Sequence, residues 1–382
     1  MPGKNTVKSF ILWLALLLLS VLIGILAYAL VLPEGNVPVT TVDRPDQEEP
    51  TLILNAVGDV MLARQVSKAI TRNNLTYPFQ EAGSFLAGAD LTFANLESPV
   101  ASGGERLPGK GIWFRAKPET VTCLTGAGID VVSLANNHVL DYGSPALLET
   151  IQYLSAAGIR PVGAGQTITE ARLPVIIEEK GVKVAFLAYS DMADIVWSYA
   201  HPRSLRATAS LPGVAPLVPE EILADIDLAG LKADVVIISL HWGNEYQEVP
   251  TVQQRQLAHT LIDRGASIII GHHPHVFQGI EVYGRGLIAY SLGNFLFDQD
   301  WSEATREGLL MQIKLTKAGW QEARVFPVQI TACQPHLLTG IPAKKLINKV
   351  NLLSAKIGTE LAEADVTGLI TTTNSGNDNR KN

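Results

Sequence analysis

The sequence predicts an α/β domain with parallel strands. Three observations carry that expectation. Short apolar, β-branched runs alternate with segments of helical period from residue 52 onward. Five of those apolar runs end directly in residues suited to metal binding or proton transfer. In open α/β sheets ligands bind beyond the carboxyl ends of parallel strands, so five such ends would converge on one site.

The chain begins with an uncharged apolar run over residues 10–32, long enough to cross a bilayer as a helix. Lys4 and Lys8 precede it, and the first base after it is Arg44. By the positive-inside rule residues 1–9 are then cytoplasmic, 10–32 a retained signal anchor, and the rest extracytoplasmic, giving a single-pass protein of the cell membrane. Residues 33–50 are rich in Pro and acidic residues and read as a flexible spacer. The main domain is expected over 51–332, a helical extension over 333–370, and a disordered polar tail over 371–382.

Within the domain the runs at 52–57, 91–94, 131–134, 182–189, 235–240 and 268–270 read as strands, and 63–72, 118–127, 144–157, 219–231 and 251–264 as helices. After His275 the pattern changes: 279–283, 286–290, 308–315 and 324–331 are strand-like with turns too short for crossover helices, so they should pair antiparallel. A late amphipathic helix is expected over 343–364. The segment 190–216 follows a strand without clear period and has the length of a lid or binding loop.

The formal net charge of −7 argues against nucleic acid as a partner. An anionic substrate must therefore be held locally. The candidate cations are Arg106, Lys110 and Arg115 in the Gly-rich stretch after Glu97, and Arg203 and Arg206 in the long loop; ordinary solvated bases are the competing reading for each. Two cysteines, Cys123 and Cys333, provide no disulfide framework, and the sequence leaves open whether they pair. No Gly-rich ATP loop with a lysine is present, which excludes a polymer ligase of that kind.

The five strand ends supply Asp59, Glu97, Asn137, His241, His273 and His275: two carboxylates, an amide oxygen and three imidazoles. This mixed N/O set without thiolate suits one or two divalent transition ions such as Mn, Fe or Zn. On extended backbone residues two apart share a face, so His273 and His275 should share the site while His272 points away.

The segments GDVML, ANLESPV, SLANNHVLDYG, LHWGNEY, GHHPHV and YSLGNFLFD, in this order over residues 52–298, resemble the poly-γ-glutamate capsule synthesis protein family, the CapA family. That resemblance implies the calcineurin-like metallophosphoesterase fold, a four-layer sandwich of two central sheets flanked by helices. It implies Glu97 as the carboxylate bridging two metals, Asn137, His241 and His273 completing one site, and Asp59 and His275 serving the other. It also implies His138 as the acid that protonates a leaving group, with Asp141 orienting it. Proteins of this kind are linked to making or exporting the capsule polymer as membrane-tethered accessory components, which implies capsule-machinery partners and an anionic polymer or phosphoester as ligand. Hydrolysis of a phosphate ester is the alternative activity. One departure stands out: the fold's enzymes usually carry a histidine two residues after the first aspartate, and here Met61 occupies that position.

Overall fold

The computed structural model describes residues 12–24, 49–364 and 367–371, and the chain divides into two units, Met1–Glu48 and Glu49–Asn382. In the first unit residues 12–24 are helical. The membrane anchor expected over 10–32, and with it the single-pass placement at a membrane, is overturned: among the described residues no helix is long and apolar enough to cross a bilayer. The remainder of the expected anchor, most of the spacer and the expected polar tail beyond residue 371 lie outside the described residues.

The second unit is built on two large sheets. The ten-stranded sheet runs β17 (Ala362–Ala364), β18 (Thr367–Thr371), β15 (Gly319–Thr331), β14 (Glu307–Thr316), β1 (Leu52–Val60), β2 (Leu91–Leu96), β3 (Val131–Ser133) and β4 (Arg160–Val162). In addition β13 (Asn294–Leu296) pairs with β1, and β16 (Gln334–Leu337) with β15. The six-stranded sheet runs β11 (Ile280–Tyr283), β12 (Gly286–Ala289), β10 (Ile268–His272), β9 (Val235–His241), β7 (Val182–Ser190) and β6 (Val175–Glu179). β1 to β4 are mutually parallel, as are β7, β9, β10 and β12. The later strands β14 and β15 add antiparallel, as the short turns require.

Strand alternation sorts the side chains into layers. Leu54, Ala56, Phe93 and Val131 of the large sheet meet Val184, Phe186, Ile237 and Ile270 of the smaller one in a shared core. The intervening residues face outward. Val57, Ala94 and Val132 pack under the helices Arg64–Arg72, Val121–Gly126 and Gly143–Ala156, and Leu187, Ile238 and Ile269 under Pro219–Gly230 and Val252–Arg264. The order is therefore helices, sheet, sheet, helices. Phe93 stacks on Phe186 across the inter-sheet core, with ring centroids 5.6 Å apart. Such a pair adds about 0.5–1.5 kcal/mol beyond its burial, and truncating Phe93 to Ala should cost about 3–5 kcal/mol.

The helices start where the sequence marks them. Thr251 and Gln254 form a reciprocal capping box ahead of Val252–Arg264, and Gly265 ends that helix at φ 123°. Pro219 opens Pro219–Gly230, with Glu220 and Glu221 in its first turn. The late helix covers Gly340–Ala355, shorter at its far end than the expected 343–364. Gly358, at φ 96°, turns the chain back so that β17 and β18 extend the edge of the large sheet. The long loop is pinned in two places: a 3-10 turn at Asp191–Asp194, and β8 (Gly213–Val214), which pairs with β5 (Ala164–Gly165).

Candidate metal centre

Parallel register brings the strand ends level. Asp59 on β1 stands beside Asn95 on β2 and Asn294 on β13, and His272 on β10 beside His241 on β9. Close backbone approach sets these strands: a Cβ at Gly58 would lie 1.9 Å from the Gly293 carbonyl oxygen, and one at Gly271 1.8 Å from that of Tyr290. Only glycine fits at either place. Each of these glycines precedes a site residue directly.

Asp59, Glu97, Asn137, His241, His273 and His275 are all buried and come together at the end of the two sheets. Ligand atoms of Asp59, Glu97 and His275 all lie within 4.8 Å of one another. His275 Nδ1 is 3.4 Å from Asp59 Oδ2, and its Nε2 is 3.8 Å from Glu97 Oε1. On the other side of Glu97, His241 Nε2 is 3.9 Å from the same Oε1, 3.1 Å from Asn137 Oδ1 and 3.1 Å from His273 Nδ1. Neighbouring amides hold the frame: Asn95 donates to Asp59 Oδ1 at 2.8 Å, and Asn136 donates to Asn95 Oδ1 at 3.1 Å.

The residues fit a divalent metal by what they leave unmet. Asp59 Oδ2, both Glu97 oxygens and both His272 nitrogens are buried without a hydrogen-bond partner. Leaving a buried acceptor unmade costs about 1–3 kcal/mol, more when it is charged, and native folds rarely tolerate several in one place. A cation among them would meet the three carboxylate oxygens and one imidazole nitrogen, the other His272 nitrogen keeping its proton.

Beside this group His138 donates from Nδ1 to Asp141 Oδ2, 2.7 Å away, and stacks on Phe114 at 3.9 Å. Asp141 also accepts from the Phe114 amide at 2.6 Å. Lys110, buried between Gly109 and Gly111, donates to Asp141 Oδ1 and to the Asn137 carbonyl, and lies 3.2 Å from His138 Nδ1. The sequence marks Lys110 only as one of several bases in a Gly-rich stretch. Its placement here depends on a loop that local pattern does not define.

Other expectations are redirected. His272 does not point away: its Nδ1 is 3.3 Å from Asp59 Oδ1. The alternation argument fails because His273 and His275 have φ of 97° and 59°, so the backbone after β10 is not extended. Met61 joins the helix-side core, and its sulfur accepts from the Ala63 amide at 3.0 Å. Arg115 donates to the Gly103 carbonyl and lies over Tyr142, Arg203 donates to Ser144 and to the Pro212 carbonyl, and Arg206 pairs with Asp194. None of these partners is a residue of the buried cluster.

The model of the family described as bacterial capsule synthesis protein PGA_cap matches residues 53–299. The chain belongs to that family. Among its PGA_cap relatives, the capsule biosynthesis protein CapA of Bacillus anthracis is 35% identical over 300 residues, covering 77% of this chain and 71% of that protein. The PGA biosynthesis protein CapA of Bacillus subtilis (strain 168) is 35% identical over 291 residues, 76% of this chain and 73% of the relative. A solved structure, a hypothetical protein from Thermus thermophilus, aligns with 17% identity and a TM-score of 0.44, covering 73% of this chain and 100% of that one.

In this PGA_cap member the charges divide sharply. Burial would raise the Asp59 carboxyl, but the His272 and His275 imidazoles beside it together hold it well below the usual carboxylate range. Burial, reinforced by the Asp59 charge, pushes Glu97 well above that range. Burial opposes protonation of His275, yet Glu97 and Asp59 raise it to about 9. Burial keeps His241 and His273 neutral, His273 at about 3, and lowers His138 to about 4 against the pull of Asp141. The neutral rings of His241 and His273 and the ionised Asp59 are the forms a metal requires, whereas Glu97 and His275 would each give up a proton to bind one.

Proposed function

We propose that this chain serves poly-γ-glutamate capsule synthesis or export as an accessory component, acting through a divalent-metal centre of the metallophosphoesterase kind. The observation that carries the reading is the group Asp59, Glu97 and His275, whose ligand atoms converge within 4.8 Å around carboxylate oxygens that nothing else satisfies. The names of the two CapA relatives supply the pathway.

Glu97 lies between two sets of donors and would bridge them. Asn137, His241 and His273 would complete one position, and Asp59 and His275 the other. His272 would take the place left by Met61, since it is the remaining unpartnered imidazole against Asp59. Divalent ions held there would supply Lewis acidity toward a phosphoryl or carbonyl oxygen and lower the pKa of a bound water. Asp141 accepts from Nδ1 of His138, which leaves Nε2 as the nitrogen that would take up a proton and pass it to a departing oxygen. Lys110 balances the charge of Asp141 and ties it to the Asn137 backbone, so the acid and the metal ligand move as one unit.

A second reading, an active phosphoesterase, is favoured by the His138–Asp141 pair, which a purely binding site does not need. Metal analysis of the purified chain beside the His241→Ala variant tests the first reading. The parent should carry metal and the variant should lose most of it; equal content in the two would refute the ligand assignment. Hydrolysis of a generic phosphodiester by the same samples separates the readings, and a metal-loaded parent without turnover would leave the binding or export role.

A further inference from the structure

Next to the metal centre lies a groove of about 700 Å³ between the helix Arg64–Arg72, the stretch 297–306 and the turn 330–333. Its inner wall is shared with the centre. Arg64 lies 4.6 Å above the ring of Phe114, which stacks on His138, and Phe297 lies 5.0 Å from His275 and 5.8 Å from Phe114. At the outer rim Trp301 is 61% exposed and one ring removed from His275: its centroid is 6.1 Å from that of Tyr246, itself 6.2 Å from His275.

The charges of this groove are unusual for a chain of net charge −7. Arg64 is paired with Asp298, which is nearly buried. Lys68 and Arg306 line the same groove, and neither has an ion-pair partner among the described residues. Asp300 is the one exposed carboxylate on the wall. Three cations with two left unpaired, a flat exposed indole, and an inner wall shared with the candidate centre form a surface for a chain that carries repeated anions on an apolar backbone.

We propose that this groove is the binding site for an extended oligocarboxylate whose end reaches the metal centre. Lys68 and Arg306 would pair with successive carboxylates, and Trp301 and Tyr246 would cover the methylene stretches between them. The volume lies in the range that encloses a ligand of several units rather than a lone small anion. The proposal rests on the capsule reading for the identity of the polymer, but not on the presence of metal.

The test titrates a dye-labelled γ-linked glutamate decamer into the full chain, with and without chelator, and compares Lys68→Glu/Arg306→Glu and Trp301→Ala with the parent. The decamer should bind with an affinity that falls as salt is raised. The double charge reversal should weaken binding about tenfold or more, the size expected for two exposed ion pairs replaced by repulsion. Metal content should stay at the parent level. Trp301→Ala should weaken binding several-fold, and its exposed position keeps the test valid if the charge reversal impairs folding. Unchanged decamer affinity in folded variants would overturn the groove assignment. Polyphosphate of equal charge binding as tightly as the decamer would overturn the carboxylate occupant. Decamer binding by a chain that proves metal-free would uphold the groove while the metal reading fails, so the two failures are distinguishable.

Discussion

Two buried carboxylates on this framework meet opposite fates. Glu281, on β11, is fully engaged: Oε2 accepts from the Tyr290 hydroxyl at 2.7 Å, and Oε1 from Arg255 at 3.3 Å, with His259 Nε2 3.1 Å away. Glu97 is more deeply buried and has no hydrogen bond to either oxygen. Each has histidines nearby, so neither burial nor residue type separates them. What separates them is the unmet acceptor. The first arrangement ties a strand to a helix; the second leaves capacity that only a ligand can use.

The contrast can be broken most forcefully through chemistry. His138→Ala should retain metal and fold while turnover of a phosphoester, if the parent shows any, falls by about 10²–10⁴-fold. Metal loss in parallel with activity would make His138 a ligand and refute its separate role. The next effect exchanges the two carboxylates. Glu97→Gln should lower metal affinity by more than the roughly 10–100-fold typical of an outer partner, yet leave the chelated protein no less stable. Glu281→Gln should do the reverse, leaving metal content intact and costing about 1–3 kcal/mol in urea unfolding. If both variants destabilise the chelated chain equally, the distinction between the two carboxylates collapses.

The smallest effect is on pH. His275 is raised from 6.5 to about 9 in the metal-free fold. The stability its imidazolium contributes is therefore complete below 6.5 and lost as pH rises through about 9. Metal needs the neutral ring, so loading should strengthen over the same window. The gap in melting temperature between loaded and chelated protein should widen from pH 6.5 to 9; a constant gap would show that His275 does not titrate against the metal.

Much of this buried cluster is legible in the sequence because its polar residues follow apolar runs closely, and parallel register then aligns them. Asp59, Glu97, Asn137 and His241 need only strand detection. His272 is misplaced by the alternation rule because that rule assumes extended backbone, and nothing in GHHPH announces the left-handed φ at His273 and His275. Asn294 escapes notice because it opens a strand rather than ending one; it lies 3.0 Å from His275 Nδ1 at the start of a strand of three residues, too short to show a period. Lys110 and the groove cations are brought in by loops and by contacts between distant segments, as Arg64 with Asp298 illustrates. The late helix is overextended in the sequence reading because residues 356–364 keep an apolar rhythm past Gly358, which only the fold reveals as a reversal.

The glycine contacts behind the centre bear on how such a protein can change over generations. Gly58 presses on the Gly293 backbone and Gly271 on that of Tyr290, so the spacing of the strand ends is fixed by main chain against main chain. Apolar side chains elsewhere in the sheets can be exchanged for others of similar volume with little cost. A side chain at either glycine would push the residue after it, Asp59 or His272, out of the cluster, so the geometry of the candidate centre depends on two residues with no side chain at all.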